Sequence, residues 1–203
     1  MGKFDEYVYE LPRRPSACGD VHAEPSVQYL GNESQPGSNL TMGFTVIRKE
    51  TLESFPHFHH SIEEYLMFSG QDLCNFFDFD AEIELWIGKD LNNMEKHVIT
   101  KPTIVRIPPY TWHCPLEYKR VGKPVYFQLC GTRGKFGTFS YSDDGDGEYH
   151  IRYVGSAGAK KCVYDENKQC VFCGKCWKQT LTDGNLRAIA ERFSVTPREG
   201  WLD

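Results

Sequence analysis

The chain has 203 residues, 40% hydrophobic and 14% aromatic, enough for one sizeable domain with a small appendage and too apolar for global disorder. Its formal net charge of -5, with no basic stripe, argues against nucleic acid as a partner. No run approaches the roughly 18 apolar residues of a membrane span, so no membrane partner is expected.

The opening "MGKFDEYVYELPRR" has no apolar core of the kind a signal peptide needs, and Glu6 stands where a myristoylation signal would place Ser or Thr. The chain therefore reads as cytoplasmic. Residues 1–40 are rich in Pro, Gly, Ser and Asn and read as an irregular arm with one strand, "SVQYL". Residues 41–155 hold recurrent β-branched and aromatic runs bounded by turn residues: "TMGFTVIR", "EYLMFSG", "AEIELWIG", "HVIT", "TIVRI", "KPVYFQLCG" and "EYHIRYV". In "AEIELWIG" the alternation puts Ile83, Leu85 and Ile87 on one face, and "GKDLNNMEK" turns the chain back to "HVIT". The expected class is all-β, a sandwich or barrel. "SDDGDGE" (142–148) lacks the twelfth-position Glu and flanking helices of a calcium loop and reads as a hairpin turn. Residues 156–203 change character. A linker, "GSAGAKK", leads to a cysteine cluster, and Leu186, Ile189, Ala190 and Phe193 then recur at helical spacing, which predicts one short helix.

The stretch "PHFHHSIEEYLMFSG" (56–70) concentrates potential ligands. On a strand alternate residues share a face, so His57 and His59 point to one ion and Phe58 points away. A straight strand from 57 to 63 would span about 20 Å, too far for one site. A turn at "HSI" is needed to bring a carboxylate back, and Glu63 is the expected one. Glu64 is expected on the opposite face and His60 on the turn. A fourth ligand, His113, follows the rigid Pro108-Pro109 turn in "IVRIPPYTWHCP". Three imidazoles and a carboxylate suit Fe, Mn, Ni, Zn or Cu as a divalent ion. Tyr65, Arg106 and Gln128 are candidate substrate contacts, with Arg106 suited to a carboxylate. His22, His97 and His150 have no partners at ligand spacing and read as structural.

This stretch resembles the first motif of the cupin superfamily: His-x-His, three or four residues, Glu, six residues, Gly. His57, His59, Glu63 and Gly70 match it. Pro108 and His113 match the second motif, Pro-x-Gly-x-x-His, in which Tyr110 takes the Gly position. The motifs' opening glycines would fall at Thr51 and Pro102, and the closing Asn at Glu117, so the turn chemistry departs from the pattern. The resemblance covers residues 40–135. It implies a double-stranded β-helix barrel holding one metal ion, often as a homodimer, with small-molecule chemistry of the oxygenase, isomerase or decarboxylase kind. A non-catalytic module that binds or senses a small molecule is the alternative.

Eight cysteines are present. Cys74, Cys114 and Cys130 lie beside apolar or aromatic residues and are expected to behave as small hydrophobes. Cys162, Cys170, Cys173 and Cys176 cluster as Cys-x7-Cys-x2-Cys-x2-Cys. In a reducing compartment such a cluster points to metal. Four thiolates fit a structural zinc. An iron–sulfur cluster is second choice, because Thr180 and Leu181 stand where a ferredoxin pattern would have Cys and Pro. Redox chemistry of this cluster is a third functional reading.

Overall fold

The computed structural model describes residues 2–15, 20–54, 56–59, 62–89, 91, 93–132, 137–143 and 149–155. In chain order the strands are β1 (Arg13–Arg14), β2 (Ser26–Leu30), β3 (Thr41–Ile47), β4 (Thr51–Ser54), β5 (His57–Phe58), β6 (Glu63–Gly70), β7 (Ala81–Gly88), β8 (Met94–Ile99), β9 (Thr103–Ile107), β10 (Trp112–Val121), β11 (Val125–Thr132), β12 (Gly137–Asp143) and β13 (Tyr149–Gly155). Two short 3-10 turns, Asp5–Tyr7 and Gly31–Glu33, are the helical elements among the described residues. No helix there is long and apolar enough to cross a membrane.

One sheet runs β1-β2-β3-β11-β6-β9 and the other β13-β12-β5-β10-β7-β8, with β4 also paired to β10. All pairings are antiparallel. The chain passes repeatedly between the sheets: β3 to β4 and β5, back to β6, across to β7 and β8, back to β9, across to β10, and back to β11. That alternation is the double-stranded β-helix of cupin type expected from the motifs. The arm contributes the expected strand, β2, and a two-residue strand, β1. The hairpin expected around 142–148 has its flanking strands β12 and β13 paired from Gly137↔Gly155 to Asp143↔Tyr149. Its tip lies outside the described residues, as does the predicted C-terminal helix.

The core lies between the sheets. Leu66 and Phe68 of β6, Phe127 and Leu129 of β11 and Val105 and Ile107 of β9 face Ile83 and Leu85 of β7 and Leu116 and Tyr118 of β10. Each fully enclosed side chain such as Phe68 or Ile83 stabilises the fold by about 2–3 kcal/mol. Ile83, Leu85 and Ile87 share a face as the alternation requires. The last residue of β6 is glycine because a Cβ there would collide with the Asp78 carbonyl oxygen. Of the three described cysteines expected to act as small hydrophobes, Cys114 is buried, Cys130 is half-buried and Cys74 is exposed. The expectation fails for Cys74, which sits on the loop after β6 with its amide held by the Asp72 carboxylate at 2.8 Å.

Candidate metal centre

The site forms where β5 meets β10 and the start of β6 faces them. His57 and His113 are directly paired across β5 and β10, so both side chains point the same way. Their ring centroids are 4.1 Å apart, and each lies 5.5 Å from the ring of His59. The carboxylate that joins them is that of Glu64. One ligand atom from each of His57, His59, Glu64 and His113 lies within 4.8 Å of the others. His59, Glu64 and His113 are all buried.

Glu63, the carboxylate expected from the spacing, is elsewhere. On β6 the inward face is set by Leu66 and Phe68, and alternation carries that face to Glu64. Glu63 falls on the outward face. There its Oε1 accepts hydrogen bonds from Arg106 Nε at 2.6 Å and from the Tyr65 hydroxyl at 2.5 Å. The same parity places the expected substrate contacts. Tyr65 pairs with Arg106 on β9 and with Cys130 on β11, and Gln128 pairs with Met67, so all three candidates share the outer face of the first sheet. Gln128 donates to Cys130 Sγ at 3.4 Å. The local signal for this parity was the contrast between Leu66 and Phe68 on one face and the amphipathic Tyr65 on the other. Every described lysine and arginine is exposed.

Electrostatics inside the group are tight. His113 Nε2 lies 2.9 Å from Glu64 Oε2, and His59 Nε2 lies 3.5 Å from Glu64 Oε1. Burial alone would push the Glu64 carboxyl up. The neighbouring His113 and His59 outweigh it and hold Glu64 well below the usual carboxylate range. Although close, Glu64 Oε2 and His113 Nε2 do not meet in hydrogen-bond geometry, and both atoms are fully enclosed. A buried carboxylate and three imidazoles whose ligand atoms lie within 4.8 Å of one another are what a bound cation requires.

The far side of each ring is held by oxygen. His113 Nδ1 donates to the Thr111 carbonyl at 3.0 Å. His57 Nδ1 meets the Ser54 hydroxyl at 3.3 Å, and His59 Nδ1 meets the Thr138 hydroxyl at 3.4 Å. A carbonyl on Nδ1 fixes the tautomer that leaves Nε2 as a lone-pair donor. Ser54, Thr111 and Thr138 carry no motif, and sequence reading missed them. The turn before His113 is clipped to the first motif as well: the Tyr110 amide donates to the His59 carbonyl at 2.7 Å. Tyr110 has φ 63°, the left-handed conformation that glycine provides at this position of the cupin pattern.

His22 Nε2 donates to Glu53 Oε1 at 2.9 Å. His60, Cys162, Cys170, Cys173 and Cys176 lie outside the described residues.

No family model matches the chain, and no curated protein matches it. Solved structures of similar fold include an oxalate oxidase in complex with glycolate, 15% identical, with a TM-score of 0.40 over 61% of this chain and 56% of that one. A Lactobacillus farciminis oxalate decarboxylase formate complex is 11% identical, with a TM-score of 0.44 over 64% of this chain and 33% of its own. A cupin-superfamily sugar phosphate isomerase from Silicibacter pomeroyi DSS-3 is 15% identical, with a TM-score of 0.41 over 78% of this chain and 96% of its own. The match thus spans little more than half the length of the oxalate oxidase. All three are too distant to speak to this chain's reaction.

Proposed function

We propose that His57, His59, Glu64 and His113 hold one divalent transition-metal ion, and that the protein uses it to act on a small organic molecule. The observation that carries this reading is the donor set itself: one ligand atom from each of the four residues lies within 4.8 Å of the others, and His59, Glu64 and His113 are buried. Imidazole and carboxylate donors together suit Fe, Mn, Ni, Zn or Cu. Such an ion supplies Lewis-acid polarisation or, if redox-active, a site for oxygen chemistry. The chain's own residues supply the rest. Three histidines and Glu64 fix the donor geometry, Ser54, Thr111 and Thr138 orient the rings, and the surrounding apolar side chains keep bulk water from the site. Arg106 is turned outward and paired with Glu63. Oxygenase, isomerase and decarboxylase chemistry all remain compatible with this arrangement, and so does a module that binds its ligand without turnover.

A second reading concerns the tail. The spacing of Cys162, Cys170, Cys173 and Cys176 supports a structural zinc independent of the barrel site.

Metal analysis of the purified protein tests both. One ion per chain is expected from the barrel, and a second, zinc, if the tail binds metal. Glu64→Gln and His113→Ala should each remove the barrel ion, whereas Glu63→Gln should retain it. The barrel assignment fails if metal content survives in the first two variants, or if Glu63→Gln loses as much as Glu64→Gln.

A further inference from the structure

Below the metal centre, β10 carries Cys114, Leu116 and Tyr118 into the core. Tyr118 is completely enclosed, and its ring packs against Phe68 and Phe127 at 6.3 and 6.5 Å between centroids. Its hydroxyl has no hydrogen-bond partner in the protein. Buried hydroxyls are almost always satisfied, so this one has a specific account to give. The polar groups near it are identifiable. β10 pairs with β4 through Leu116↔Ser54 and Tyr118↔Thr51, which brings Glu53 alongside. Burial first, and then the Glu53 carboxylate and the Cys114 thiol, push the Tyr118 hydroxyl well above its ordinary value. Glu53 is in turn bonded to His22, whose side chain is 17% exposed at the seam between β3 and β4.

We propose that one ordered water molecule sits in the barrel interior against Tyr118 Oη, bridging it to Glu53. A carboxylate acceptor and a phenolic donor that do not meet directly are the partners a bridging water joins, with the Cys114 sulfur as a third, weaker contact. The site rests on the core of the barrel and not on the metal reading, so either can fail without the other.

A high-resolution crystal structure tests it. Density for a water is expected about 2.7–2.8 Å from Tyr118 Oη. Tyr118→Phe keeps the ring packing, should lose that density, and should lower Tm by about 2–4 °C. The opposite sign is the overturning result. A dry, unsatisfied hydroxyl would be costly, so its removal would leave Tm unchanged or raise it. Absence of density beside Tyr118 in the wild-type protein overturns the proposal as well.

Discussion

Glu63 and Glu64 are chemically identical neighbours, and only their surroundings separate them. Glu64 is enclosed by imidazoles; Glu63 is held by a guanidinium and a phenol on the outer face. At this scale His57 is the proposed ligand most open to perturbation, since it is half-buried where His59 and His113 are buried. Ser54 steadies its ring from behind at 3.3 Å. Outer contacts of this kind are worth about 10- to 100-fold in metal affinity. Ser54→Ala is therefore expected to keep the fold and to bind metal about tenfold more weakly in a chelator competition. Unchanged affinity would mean that strand pairing alone positions His57. Nothing in the sequence marks Ser54 for this role. It is legible only from the contact that the fold makes between Ser54 and the His57 ring.

Two elements show where local reading succeeds and fails. β10 runs for ten residues through Cys114-Pro115, a dipeptide that argues locally against a strand. Register shifts between His113 and Leu116 absorb the interruption, so His113 and Leu116 both face inward. The turn before β10 is the more informative. Tyr110 holds a left-handed conformation that costs a non-glycine residue about 1–2 kcal/mol, and its amide is committed to His59. Tyr110→Pro removes that amide and cannot adopt φ 63°, so it should lose both metal and thermal stability. Tyr110→Gly should keep the metal and gain up to about 1 kcal/mol, the relief being partly offset by glycine's larger unfolded-state entropy. Metal content and denaturant unfolding of the two variants separate these outcomes. Equal tolerance of both would show that the clip to His59 is dispensable.

For the whole molecule, the four proposed ligands bridge the two sheets. His57 and His113 belong to the second sheet, and Glu64 to the first. An ion held there would tie the sheets together at one end of the barrel. At free metal a thousandfold above Kd, binding adds about 4 kcal/mol. Chelation is thus expected to lower Tm by roughly 10 °C for a chain of this size, and Glu64→Gln should abolish that response. A Tm indifferent to chelator in the wild-type protein would exclude an ion bound with that affinity.

The sequence by itself determined the β class, most of the strands, three of the four proposed ligands and the turn that presents His113. Those features depend on residue type and short spacing, which the chain carries locally. It left the carboxylate to the fold. His59 and β6 are separated by a turn whose length resets the parity, and "EEYLMFSG" is apolar on both faces. What decides is long-range packing: Leu66 and Phe68 turn inward against Phe127, Leu129 and Val105, and Glu64 goes with them. The same choice sends Tyr65, Arg106 and Gln128 to the outer face. A one-residue shift in strand parity exchanges every side chain between core and surface, and the burial that fixes it belongs to the assembled barrel.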